Sequence, residues 1–254
     1  CRKNTMSNNI VIQTNNLSKK FRIGTRERLT FFTSLRYKLS GDYPETDFWA
    51  LKNISFSVKK GEMIAVMGHN GAGKTTLFRI LSGIMKQTSG TFSITENVSC
   101  MFELGLGFNL RFTAIENVYL YGALHGISRK EIDKKMDAIV EFAELDKFMG
   151  AKLGEYSSGM ISRLAFATII QTLQGIILVD EVLSVGDIAF QRKCAKAFEK
   201  VLNDGHTILF ISHGLGEEKK LCTNALYIDH GNQMAFGPLK EVEDMYYEKM
   251  KVKK

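Results

Sequence analysis

The chain has 254 residues, 44% of them hydrophobic and 24% charged, which is ample for a sizeable core and ordinary for a globular protein. No apolar run reaches the roughly 18 residues of a membrane-spanning helix; the most apolar stretch, 164–179, is broken by Gln171 and Gln174. The net charge of +7 permits anionic partners without choosing among them, and the four scattered cysteines (Cys1, Cys100, Cys194, Cys222) show neither metal-ligand spacing nor a disulfide framework, which fits a reducing compartment.

Residues 1–9 are expected to form a flexible N-terminus, with Met6 a candidate natural start and no secretory signal ahead of the first strand. That strand reads over 10–14. Residues 24–47 read as a polar and aromatic insertion ending near Pro44. Basic residues alternate with aromatics over 19–39, either as an amphipathic piece near a bilayer or as a basic surface loop. Leu51, Ile54, Phe56 and Val58 mark a strand, Lys60-Gly61 a turn, and 63–67 an apolar strand. Short strands follow at 91–94 and 98–102. From about 113 to 173 the period becomes helical. One helix includes Ile115, Val118 and Ala123. A second opens on the capping box Ser128-Arg129-Lys130-Glu131 and carries Ile132, Met136, Ile139, Val140 and Ala143 on its apolar stripe. Ser157 begins a third. Residues 176–179 and 207–211 read as strands buried in a parallel sheet. Residues 225–229 and 233–236 form a hairpin candidate around His230-Gly231-Asn232, and 239–250 a terminal helix. This order predicts a mixed α/β core with a helical insertion near 104–172.

Residues Gly68-His69-Asn70-Gly71-Ala72-Gly73-Lys74-Thr75 match the phosphate-loop pattern G-x-x-x-x-G-K-[ST], followed by Thr76. The pattern lies between an apolar strand and a helix start, where a nucleotide needs it. Glycines let the backbone wrap an anion with its N–H groups inward, at the positive end of a helix. Lys74 can reach the β- and γ-phosphates, and the Thr75 hydroxyl can ligate Mg²⁺.

Two further segments carry chemistry. The strand 176–179 ends in Asp180-Glu181. Asp180 can hold Mg²⁺ through its water shell, and Glu181 can polarise an attacking water as general base. Tyr156-Ser157-Ser158-Gly159-Met160 leads into a long helix, whose free N–H groups and the Ser157 hydroxyl make either a second anion site or an ordinary helix cap.

Phosphate loop, Y-S-S-G-M, Asp180-Glu181 and Ile211-Ser212-His213 occur in the order of the ATP-binding-cassette (ABC) ATPases, and the chain resembles that family over nearly its whole length. The resemblance implies a P-loop NTPase fold of class α/β, with a RecA-like core, an antiparallel β subdomain and a helical subdomain. Residues 10–254 form the ATPase domain, and no C-terminal carbohydrate-binding domain is expected. It implies a head-to-tail dimer with a second copy, in which Ser157, Ser158 and Gly159 meet the partner's nucleotide. His213 is the switch histidine. Asp187 is the aspartate that communicates across the dimer, and a helix N-cap is its other role. Glu103 stands where the family has its Q-loop glutamine, a candidate Mg²⁺ contact, and Ser158 stands where glycine is usual. Phe21, or its rival Trp49, stacks on adenine; core packing is the alternative for either.

Phe48-Trp49-Ala50-Leu51-Lys52-Asn53-Ile54, Glu103-Leu104-Gly105-Leu106-Gly107-Phe108 and the Asp180–Asp187 run together resemble the ATPases of bacterial polysaccharide exporters for O-antigen, capsule and teichoic acid. That resemblance implies ATP and Mg²⁺ as ligands, a separate transmembrane channel subunit, and a lipid-linked glycan handled by the complex. It places the chain peripherally at the cytoplasmic face of the inner membrane, with no nucleic-acid partner. The alternatives are the ATPase of an importer and a soluble, non-transport ABC ATPase.

Overall fold

The computed structural model describes residues 9–24, 45–101, 105, 107–180, 187–211 and 220–251. Most of the expected N-terminal tail, the centre of the basic insertion, Glu103, Glu181 and His213 lie outside them.

Among these residues nine strands form one curled sheet in the order β4-β1-β2-β9-β8-β3-β7-β6-β5. β3 (Met63–Met67), β5 (Val98–Met101), β6 (Ile176–Asp180), β7 (Thr207–Ile211) and β8 (Asn224–Asp229) are mutually parallel. β1 (Ile10–Gly24) runs antiparallel to both β2 (Glu45–Lys59) and β4 (Ser89–Ile94), and β9 (Asn232–Pro238) runs antiparallel to β8. A single pairing, Lys52 with Asn232, joins the antiparallel part to the parallel part through β2 and β9.

The apolar strands alternate between two cores, which is why they read as unbroken hydrophobic runs. Met63, Ala65 and Met67 of β3 face one core with Ile177, Val179, Ile208 and Phe210. Ile64 and Val66 face the other with Leu178, Leu209 and Ile211. The second core is closed by α1 (Lys74–Leu81), through Leu77, Phe78, Ile80 and Leu81, and by the β1–β2 face. The first is closed by α4 (Ser158–Thr172), α5 (Ile188–Asn203) and α6 (Leu239–Lys251). A third core joins α2 (Ala114–Leu124), α3 (Arg129–Ala143) and the outer side of α4.

Local chemistry sets the ends of the helical part. Ser128 accepts from the Glu131 N–H while the Glu131 carboxylate accepts from the Ser128 N–H at 2.9 Å, the predicted box. Thr113 and Glu116 form a second box at α2. Ile132, Ile139 and Ala143 are buried as the stripe requires.

Three elements differ from expectation. β1 runs ten residues beyond 14, and β2 begins at Glu45, so 19–24 and 45–47 belong to a strand pair rather than to an insertion. Register shifts around Leu17 and left-handed backbone at Asn16 and Asn53 interrupt the period-two pattern that marks a strand. α5 is an additional helix, with Phe190, Cys194, Phe198 and Val201 buried along one face.

Candidate nucleotide site

The loop 68–73 connects the buried strand β3 to α1. Its shape needs glycine at two close approaches. At Gly68 a Cβ would stand 2.2 Å from the Ile228 carbonyl oxygen, and at Gly73 one would stand 2.4 Å from that of Ala50. Gly73 is the N-cap of α1 and makes no side-chain cap bond. The first N–H groups of α1 therefore have no capping side chain at their head.

Lys74 is buried, and its ammonium donates to the carbonyls of Gly68 at 2.7 Å and His69 at 3.0 Å. Burial lowers its pKa, and the nearby Asp180 carboxylate opposes that shift. The Thr75 hydroxyl donates to Asp180 Oδ2 at 3.2 Å, so the end of β6 meets the first turn of α1. His69 donates through Nδ1 to the Asn70 carbonyl at 2.5 Å, and the Ala72 N–H donates to the His69 carbonyl.

A cavity of about 580 Å³ opens over this loop. Asn70, Gly71, Ala72, Gly73, Lys74, Thr75, Thr76 and Asp180 form its polar end, while Phe21, Phe48 and Ala50 form its other wall. Phe21 pairs with Phe48 across β1 and β2. Trp49, one residue on, lies on the opposite side of the strand by the alternation of β structure and does not line the cavity. Its ring instead receives the Lys20 ammonium at 5.5 Å. Sequence reasoning misses Phe48 and Ala50 as wall residues; the only signal for them is their alternation with Trp49.

The serine-glycine segment stands apart from this cavity. Ser157 is the N-cap of α4, in extended conformation, and accepts from the Met160 N–H at 3.2 Å. Ser157 and Ser158 are exposed, and a Cβ at Gly159 would meet only Ser157 Oγ, at 3.8 Å. Asp187 is the N-cap of α5, accepting from the Phe190 N–H at 2.9 Å, and it pairs with Arg163 of α4 at 2.6 Å. The Phe190 N–H and then Arg163 hold its carboxyl below the usual range. Glu103, Glu181 and His213 fall outside the described residues.

A glycine-lined cradle at a helix start, a buried ammonium, and a hydroxyl–carboxylate pair at its edge can bind a polyphosphate and its cation. A sequence profile described as ABC transporter matches residues 51–184. The O-antigen export system ATP-binding protein RfbB of Klebsiella pneumoniae is 39% identical over 203 residues, covering 80% of this chain and 82% of its own. The teichoic acids export ATP-binding protein TagH of Lactiplantibacillus plantarum is 35% identical over 243 residues, covering 95% of this chain and 65% of its own. In fold the chain is similar to a solved dimeric ATP-binding cassette in a post-hydrolysis state, bound to ADP and Pi. The TM-score is 0.71 at 22% identity, over 90% of this chain and 98% of that one. The profile spans over half of the chain and the Klebsiella relative is matched over most of its length, so this nucleotide-binding chain belongs to the ABC transporter family and is an ATPase with that family's fold.

Proposed function

We propose that the chain is the ATP-hydrolysing subunit of a transporter that exports a lipid-linked, O-antigen-like polysaccharide across the bacterial inner membrane. It works peripherally at the cytoplasmic face, as a pair with a second copy, on a separate transmembrane channel subunit. The observation that carries the ATPase reading is the joined pair Thr75–Asp180 beside the buried Lys74. The names of the curated relatives support the export reading. No described helix is long and apolar enough to cross a membrane.

In this reading the loop N–H groups of 68–76 and Lys74 hold the phosphates of ATP. Phe21 stacks on the base, with Phe48 opposite it in the same wall. Thr75 and Asp180 suit Mg²⁺ because both offer hard oxygen ligands at one edge of the cradle. Bound there, the ion neutralises phosphate charge. Glu103 is proposed as a further contact to that ion. Glu181 takes the proton of the attacking water, and His213 orients that water and the γ-phosphate. Ser157, Ser158 and Gly159 serve the nucleotide of the second copy. The exposure of Ser157 and Ser158, away from their own chain's cavity, supports that role.

The experiment is Glu181→Gln in the full chain. ATP should drive the variant into a stable dimer by size-exclusion chromatography, with no phosphate released. Normal turnover in the variant removes Glu181 as the base. In the host, Lys74→Ala should leave glycan precursor inside the cell and strip it from the surface. Normal surface glycan with that variant would sink the export reading.

A further inference from the structure

Behind the phosphate loop lies a second group of candidate ligand side chains, none of which lines the nucleotide cavity. His69 of the loop, Asp229 at the end of β8 and His230 in the hairpin turn each offer one ligand atom, and these atoms all lie within 4.8 Å of one another. His69 Nε2 is 3.0 Å from Asp229 Oδ1, and His230 Nε2 is 3.8 Å from the same oxygen. Tetrahedral zinc bonds of about 2.0–2.1 Å separate neighbouring ligand atoms by about 3.3 Å, which falls between these two spacings.

The protonation pattern argues in the same direction. His69 Nδ1 faces a carbonyl, which can only accept, so Nδ1 carries the proton. In the neutral ring Nε2 is then a lone pair. That atom is buried and has no hydrogen-bond partner among the described residues, although a carboxylate oxygen stands 3.0 Å away. With the ring neutral, a cation between this lone pair and the carboxylate oxygen would satisfy both. A ring nitrogen that donates to a backbone carbonyl is also the usual way a metal-binding histidine is oriented.

The remaining contacts suit the same occupant. Asp229 is buried, and its other oxygen accepts from Lys249 of α6, which leaves Oδ1 as a single ligand atom. His230 is largely exposed, which gives an ion a route in. His230 and Gly231 both have positive φ, the two-residue turn that favours Asn-Gly. An imidazole thus stands where the turn itself would prefer an amide.

We propose that His69, Asp229 and His230 bind one borderline divalent cation, with Zn²⁺ preferred and a water completing the set. Two imidazoles select against Mg²⁺ and Ca²⁺, so the site is distinct from the one at Thr75 and Asp180. Its ion ties the phosphate loop to the β8–β9 turn. The same two segments are already joined by the Gly231 N–H donating to the Ala72 carbonyl at 2.9 Å.

The test is titration of the metal-stripped full chain with Zn²⁺ against a chromophoric chelator, with Co²⁺ as a spectroscopic stand-in. One Zn²⁺ per chain is expected, with four-coordinate Co²⁺ absorption in the visible. His230→Asn keeps a residue that the turn favours, and Asp229→Asn keeps the shape. Each should weaken Zn²⁺ binding by at least about tenfold. Zn²⁺ should raise the melting temperature of the wild type and not that of His230→Asn. Binding of ADP in Mg²⁺ should be the same in both, which separates this site from the nucleotide site. No stoichiometric Zn²⁺ in the wild type, or equal Zn²⁺ affinity in His230→Asn, overturns the proposal.

Discussion

The Thr75 hydroxyl donates to the Asp180 carboxylate at 3.2 Å, across a sequence separation of 105 residues. The first turn of α1 and the end of β6 thereby place two side-chain oxygens on one edge of the cavity. Replacing Asp180 with Asn keeps a hydrogen-bond acceptor for Thr75 and removes the charge. Asp180→Asn should therefore fold normally and bind ADP without metal. It should lose Mg²⁺-dependent ATP hydrolysis by more than about 100-fold, beyond the usual cost of disturbing a metal's outer shell. Single-turnover assays across a Mg²⁺ series check this, and near-normal turnover would mean that Asp180 does not serve the ion.

Glycine substitutions in the loop should separate two kinds of cost. Gly71 has φ +79 and open space where a methyl group would stand, so Gly71→Ala carries backbone strain alone, about 1–2 kcal/mol. Gly73 has φ +112, and its Cβ would meet both the Ala50 carbonyl at 2.4 Å and Leu51 Cδ2 at 2.9 Å. Gly73→Ala must add displacement of β2 to that strain. In thermal melts Gly71→Ala should lower Tm by roughly 2–8 °C, and Gly73→Ala by clearly more. Equal shifts would show that the contact with Ala50 is absorbed without cost.

The aromatic wall yields a three-way comparison. Phe21 and Phe48 line the cavity, and Trp49 lies on the other side of β2. Stacking of a base on an aromatic ring contributes about 1–3 kcal/mol. Phe21→Ala should raise the Kd for a fluorescent ADP analogue by about tenfold or more. Phe48→Ala should weaken binding less, since that ring is half-exposed, and Trp49→Ala should leave affinity unchanged. Loss of affinity confined to Trp49→Ala would reverse the assignment of the stacking side chain.

The parts of this site that are legible in the sequence lie close along the chain. The loop 68–75, the carboxylate ending β6 and the Ser157 cap are each set within a few residues. The surroundings of the loop come from far away. Ile228 and Ala50 press on Gly68 and Gly73, and Asp229 meets His69 from 160 positions on; no local pattern announces such contacts. In the fold, the apolar runs of β6 and β7 are clear because both faces are buried. The full length of β1 is hidden because Asn16 takes a left-handed turn in mid-strand, where its N–H bonds the Ser55 hydroxyl. α5 does carry a signal, the spacing of Phe190, Cys194, Phe198 and Val201 behind the N-cap Asp187, a residue type that favours that position.

The paired capping boxes predict how acid acts on the helical part. The Thr113 backbone N–H and hydroxyl hold the Glu116 carboxyl below the usual glutamate range. The Ser128 hydroxyl and then its N–H do the same for Glu131. A carboxyl whose pKa is lower folded than unfolded binds fewer protons in the native state. Its stabilisation is complete above the unfolded value of about 4.3, and it is lost as pH falls through the lower folded value. Glutamine at the same positions keeps the acceptor oxygen of the box and does not titrate. The double variant Glu116→Gln, Glu131→Gln should start slightly less stable near neutral pH and lose less on acidification, because all other carboxyls are shared. Melting curves of both proteins between about pH 6 and about pH 3 should therefore converge. Parallel curves would show that the two boxes hold no proton-linked stability.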